Sequence, residues 1–173
     1  MIKNPNKAQV LEALSTHQVI HFACHGSSAA DPSKSRLLVD DWETLPLTVA
    51  DITVLKIKHG QFAYLSACNT SRGEESRLLD ESINLVSAIQ LAGYPSVVGT
   101  LWEVTEEESG RIAQGVYSWM VRDGRKFRFE SAAEGLHRAV RELREETRRT
   151  PARLGNTCQN DPMKWAPYLH VGI

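Results

Sequence analysis

The sequence predicts an α/β protein whose mainly parallel sheet is covered by helices on both faces. Short apolar runs at 19–24, 62–67 and 96–101 suit buried strands, and they alternate with segments whose apolar residues recur at helical spacing. The first two runs stop abruptly, at His25 and at Cys68. In open α/β sheets ligands bind at the carboxyl ends of the strands, so these two ends are the first candidates for a site.

The N-terminal half of the chain contains five predicted elements. Val10 and Leu14 share one face of a first helix, and Thr48 with Asp51 forms the capping-box pattern that starts a second. In chain order, the elements are a helix at 5–16, a strand at 19–24, a short hairpin strand at 36–39, a helix at 48–55 and a strand at 62–67.

The C-terminal half continues the alternation of helices and strands. A helix marked by Leu79, Val86 and Ile89 ends before Gly93, which suits the position after a helix. Acidic residues that follow Thr105 favour a helix start there, because negative charge stabilises a helix N-terminus. The remaining elements are a strand at 96–101, a helix at 105–123, a helix from 131 with Leu136, Ala139, Val140 and Leu143 facing inward, and a strand at 168–171.

Length, charge and cysteine content limit the function classes. The 173 residues are enough for one domain with its own core. A net charge of −1 gives no electrostatic reason to bind nucleic acid or an anionic membrane, and no apolar segment reaches transmembrane length. Three cysteines, an odd number, argue against a disulfide framework and favour a reducing compartment. We therefore expect a cytoplasmic protein that binds neither nucleic acid nor membrane.

Cys68 and His25 are a candidate nucleophile and base. A thiol needs a nearby base or a lowered pKa before it attacks a carbonyl, and both residues follow a predicted strand of one sheet. Cys68 alone is equally well interpreted as a packed residue, because cysteine is often buried. Its strand-end position and the matching His25 favour catalysis. Cys24 is interpreted as a packing residue, since it should point away from His25. His21 lies within the strand and is interpreted as a packed or edge histidine.

Four sequence segments carry a family resemblance. They are His-Phe-Ala-Cys-His-Gly at 21–26, Leu-Ser-Ala-Cys-Asn-Thr at 65–70, Ala-Gly-Tyr-Pro-Ser-Val-Val-Gly-Thr-Leu-Trp at 92–102 and Trp-Ala-Pro-Tyr at 165–168. In this order they resemble a CHAT domain, the caspase-like, separase-related cysteine peptidase domain. The resemblance covers nearly all of residues 1–173 and implies a caspase-like three-layer α/β/α sandwich. It also implies upstream strands that are missing here, and a longer parent protein whose repeat or sensor domain is a partner.

The resemblance assigns roles to particular residues. Cys68 matches the family nucleophile and His25 the catalytic histidine, so peptide hydrolysis through a thioester is implied. The backbone N–H groups of Gly26 and Cys68 match the donors of the oxyanion hole, and a side chain at position 26 could block the substrate carbonyl. No third residue that orients the histidine can be named, so we predict a dyad. The cysteines and histidines form no paired zinc-binding spacing, and we expect neither a metal nor a cofactor.

A substrate pocket and a partner surface are weaker predictions. Glu106 and Glu107 lie where the family often carries acids, and they are candidates for a pocket that binds a basic P1 residue. Acids at a helix N-terminus need no such role, and we favour that interpretation. Trp42, in its acidic hairpin, is a candidate for a surface that contacts a partner.

Three functions remain open at this point. The first is a cysteine endopeptidase that cleaves a protein partner and is regulated by domains absent here. The second is a catalytically inactive caspase-like domain for interaction or signalling, against which the intact His25, Gly26 and Cys68 argue. The third is another thiol acyl-transfer enzyme, such as an amidase, which only its substrate would distinguish from a peptidase.

Overall fold

The computed structural model of the chain describes residues 1–27, 29–66, 68–69, 78–102, 104–124, 126–149 and 161–173. At 68–69 and 78–84 the description covers the backbone and not the side chains. These residues form two compact units, Met1–Glu103 with Val171–Ile173, and Val104–His170. The prediction of one CHAT domain over residues 1–173 stays a prediction.

Helices and strands alternate along the described part of the chain. The helices are α1 (Lys7–Thr16), α2 (Val49–Thr53), α3 (Leu78–Ala92), α4 (Glu106–Met120), α5 (Ala132–Arg149) and α6 (Pro162–Trp165). The strands are β1 (Val19–Phe22), β2 (His25–Ser27), β3 (Arg36–Leu38), β4 (Leu47–Thr48), β5 (Phe62–Leu65), β6 (Cys68–Asn69), β7 (Ser96–Thr100) and β8 (Tyr168–Gly172). Each predicted helix is present, with ends that differ from the prediction by a few residues.

A four-stranded main sheet has the order β1-β5-β7-β8. β1 pairs with β5 and β5 with β7, both in parallel. Every residue of β5 and β7 is buried, which explains why both sequences are continuous apolar or small runs and show no alternation. The predicted α/β class with a mainly parallel sheet is confirmed, and it is consistent with a caspase-like α/β/α fold.

A smaller second sheet corrects the prediction at the strand ends. Its order is β4-β3-β2-β6, so His25 and Cys68 lie in strands of their own and do not end the strands of the main sheet. β1 stops at Phe22, and β5 stops at Leu65. No glycine or proline marks these two breaks in the sequence, and each motif therefore looked like one continuous strand.

Side-chain caps start the helices of the first unit. Asn6 and Gln9 form a reciprocal capping box on α1, and Thr48 and Asp51 form the predicted one on α2. Lys7 Nζ also donates to Asp51 Oδ2 at 2.8 Å, which links the first turn of α1 to the start of α2. These contacts fix the chain on both sides of β3 and β4.

The second unit is built around α4 and α5. Thr105 caps α4, and its Oγ1 accepts a hydrogen bond from the backbone N–H of Glu108. The acidic run after Thr105 predicted a helix start at this position. α5 starts at Ala132, after a 3₁₀ turn at Phe129–Ser131. The buried apolar residues of the two helices include most of the predicted inward positions; they are Ile112, Ala113, Val116, Met120, Ala132, Leu136, Ala139 and Leu143.

Candidate functional site

His25 and Cys68 are register partners. β2 and β6 pair in parallel, with His25 opposite Cys68 and Gly26 opposite Asn69. In the main sheet just before this point, Phe22 is opposite Leu65, and Ser66 N donates to Phe22 O at 2.8 Å. The two segments of the chain therefore leave the main sheet at the same level, and they pair again in the small sheet without a change of register.

His25 lies on the outer face of the small sheet. Along β2, His25 is exposed, Gly26 is buried and Ser27 is half-buried. β3 pairs antiparallel with β2, and the residues opposite these three are Leu38, Leu37 and Arg36. Leu37 is buried whereas Arg36 and Leu38 are half-buried, so one face of the ladder packs inward and the other reaches solvent. The outer face carries the candidate base.

Gly26 is buried but not crowded. A Cβ built at this position meets Arg36 O at 3.7 Å and Leu85 Cδ1 at 3.8 Å, which are ordinary van der Waals distances. The fold itself therefore has room for a methyl group at position 26. The N–H groups of Gly26 and Cys68 stay predicted oxyanion donors.

His21 lies on β1, one step before the small sheet, and is exposed on one side. Its Nε2 lies 3.1 Å from Ser66 Oγ, and its ring centroid lies 4.8 Å from that of its register partner Tyr64. Burial against these groups lowers the pKa of His21 and favours the neutral ring. The contact with Tyr64 and the exposed position on β1, the outer strand in the order of the main sheet, agree with a packed or edge histidine. Ser66 was not singled out from the sequence, because a serine in a strand end carries no motif by itself.

A known sequence family matches nearly the whole chain. The sequence model of the CHAT domain matches residues 2–173. The chain belongs to the CHAT domain family. At the family level a CHAT domain is protease-like, which agrees with the α/β fold. No curated protein sequence matches this CHAT domain.

Three other residues that the sequence singled out lie outside the β2–β6 pair. Cys24 lies half-buried in the bend between β1 and β2. Glu106 and Glu107 are exposed in the first turn of α4, within the second unit. That position favours acidic side chains through the helix dipole alone, and the pocket for a basic P1 residue stays a prediction.

The described ranges of the CHAT domain contain neither a membrane-spanning helix nor a cluster of metal-binding side chains. None of the helices there is both long enough and apolar enough to cross a bilayer. No group of three or more histidine, cysteine, aspartate or glutamate residues with metal-binding geometry occurs in those ranges. The predictions of no cofactor, no nucleic acid and a cytoplasmic location remain predictions.

Proposed function

We propose that this CHAT domain is a cysteine endopeptidase that cleaves a protein partner through a His25–Cys68 dyad. The register pairing of the two residues in the β2–β6 ladder is the observation that carries the proposal. Register partners in neighbouring strands lie on the same face of a sheet, and the exposed His25 places that face in contact with solvent. Membership of a protease-like family supports the same function.

The chemistry follows from the two side chains. His25 takes the proton of the Cys68 thiol, and the Cys68 sulfur attacks the carbonyl carbon of the scissile peptide. The tetrahedral oxyanion needs donors that are already oriented, a role we assign to the N–H groups of Gly26 and Cys68. The intermediate collapses as the amine leaves with the proton held by His25. Water then hydrolyses the thioester, which frees the acid and restores the thiol.

Peptide-library cleavage, read by mass spectrometry, tests the proposal. The wild-type chain is compared with Cys68→Ala and His25→Ala. We expect Cys68→Ala to be inactive and His25→Ala to be slower by about 10²–10⁴-fold, the usual loss of a general base. Cys24→Ala and His59→Gln are matched controls, because Cys24 adjoins His25 in the sequence and His59 is another exposed histidine. Both should cleave like the wild type.

Alkylation by iodoacetamide adds a measurement that needs no substrate. An activated Cys68 should react faster than Cys24 in the wild type, and the difference should shrink in His25→Ala. Cleavage that persists in Cys68→Ala would overturn the dyad. Absence of cleavage together with equal alkylation of both cysteines would favour an inactive interaction domain. Hydrolysis of small amides without peptide cleavage would favour an amidase.

A further inference from the structure

Arg36 shares the outer face of the small sheet with His25. It is the register partner of Ser27 on β2, while His25 is opposite Leu38 two residues further along β3. Arg36 is therefore a diagonal neighbour of His25, and such neighbours lie about 7–8 Å apart, within reach of long side chains. Buried Leu37 between them faces the other way.

The guanidinium group of Arg36 is held by Trp42. Its Cζ lies 5.3 Å from the centroid of the Trp42 ring, and both residues are half-buried. Stacking on an aromatic ring restricts a guanidinium and leaves its N–H edge available for hydrogen bonds. Among the residues that the structure describes, no carboxylate lies within ion-pair distance of Arg36, although the segment that follows β3 is acidic. The nearby Asp41 accepts instead from Lys7 N at 2.8 Å.

We propose that Arg36 recognises a carboxylate side chain of the substrate, within about two residues of the scissile bond. The distance follows from the 7–8 Å spacing to His25 and the rise of about 3.3 Å per residue of an extended peptide. A guanidinium fork matches a carboxylate in a bidentate geometry, and it is oriented by Trp42 before the substrate arrives. This inference rests on the proposed function, for which it names an acidic substrate class.

The inference competes with the predicted pocket at Glu106 and Glu107. Those two acids would select a basic residue, whereas Arg36 selects an acidic one. Arg36 is on the same ladder as His25, and both lie in the first unit. The two specificities are opposite in charge, so one set of peptides separates them.

Matched peptides that differ only by Glu or Gln test the inference. Each of the two positions on either side of the cleaved bond is varied in turn. The wild type should cleave one Glu peptide about tenfold or more faster, in kcat/KM, than its Gln counterpart, as expected for a charge-assisted pair. Arg36→Gln should abolish the preference for the Glu peptide, and Arg36→Glu should prefer a Lys peptide.

Arg122→Gln is the matched control. Arg122 stacks on Trp119, with its Cζ 4.2 Å from the ring centroid. The variant therefore removes a guanidinium group that is stacked on a tryptophan in another part of the chain. Its Glu preference should equal that of the wild type. Fluorescence anisotropy of the same peptides on Cys68→Ala, with and without Arg36→Gln, measures recognition without turnover.

The outcomes separate the inference from the proposed function. Cleavage that depends on Cys68, with no Glu preference or with one that survives Arg36→Gln, overturns the inference and keeps the peptidase. Glu-dependent binding that requires Arg36, without cleavage, supports the inference and overturns the peptidase. If neither cleavage nor Arg36-dependent binding is observed, both the inference and the proposed function are overturned.

Discussion

His25 and Cys68 occupy paired positions in the parallel ladder of β2 and β6. Backbone pairing sets the distance between the two residues. The pairing of β2 with β6 continues the register in which β1 pairs with β5. Residues on paired strands are positioned more precisely than residues on a loop, and such precision suits the proposed roles of these two residues as base and nucleophile. Five predictions test this arrangement and the structure that supports it.

Gly26→Ala should change neither folding nor activity by much. The new methyl group would meet only contacts of 3.7 and 3.8 Å, so we expect the free energy of unfolding to change by less than about 1 kcal/mol. It would point to the buried face, toward Leu85, whereas His25 lies on the outer face. Alanine also keeps the backbone N–H that is the proposed oxyanion donor, so kcat/KM should stay within about threefold of the wild type. Thermal unfolding and peptide cleavage measure the two effects.

Gly93→Ala is the contrasting variant. Gly93 has a φ of +126°, and a Cβ there would collide with the backbone of Ile57. We expect a loss of about 1–3 kcal/mol in the free energy of unfolding. A large loss of activity in Gly26→Ala would contradict the inward direction of position 26, and an unchanged stability of Gly93→Ala would contradict the described turn.

His21 should make stability depend on pH. Burial lowers its pKa in the folded protein, so the unfolded chain binds more protons once the pH falls below about 6.5. Stability is therefore complete above that pH and is lost as the pH falls toward the folded pKa. Burial lowers the pKa of His170 as well, with the same sign. Urea denaturation between about pH 5 and 8 should show a smaller loss in His21→Gln than in the wild type. Identical pH profiles would refute this assignment.

Asp51 should contribute to stability through two kinds of contact. Burial raises the pKa of its carboxyl, but hydrogen bonds from Lys7 and Thr48 outweigh that effect and lower it. Asp51→Ala loses both the cap and the ion pair, and we expect about 1–2 kcal/mol of destabilisation. Lys7→Met loses only the ion pair and should cost about 0–1 kcal/mol. Chemical denaturation of both variants measures the difference, and equal losses would show that the cap contributes nothing.

Tyr94→Phe should weaken the link between α1 and the turn after α3. The Tyr94 ring is fully buried, and its hydroxyl donates to His17 O at 2.7 Å and lies 3.1 Å from Leu14 O. Removal of the hydroxyl leaves these carbonyls without that donor, and we expect about 1–2 kcal/mol of destabilisation. Burial raises the pKa of Tyr94 to about 12, so the hydroxyl is protonated and the loss should be the same at pH 7 and pH 9. Unfolding curves at both values provide the measurement.

Local signals in the sequence predicted the helices well. Thr48 with Asp51 predicted α2, and Thr105 with its acidic run predicted α4, because a cap needs only residues within one turn. The buried runs that became β5 and β7 were also readable, since a strand buried on both faces is apolar throughout. His25 and Cys68 were found from their positions after apolar runs.

The sequence missed the small sheet and the pair Arg36 and Trp42. β2 and β6 are short, and their identity as strands depends on pairing with each other and with β3. Arg36 appeared only as part of a hairpin, and Trp42 only as an exposed aromatic candidate. An arginine with a tryptophan six residues later across an acidic turn was the available signal, but it had meaning only once the register was known.

The sequence by itself determined the α/β class, the capped helices, the family and two candidate catalytic residues. Those features depend on periodicity and on interactions between residues that are close along the chain. The tertiary structure alone decided that both motifs cross into a second sheet, that His25 is opposite Cys68 and that Arg36 shares a face with His25. Strand pairing joins residues far apart along the chain, and a shift by one position would turn each side chain to the other face.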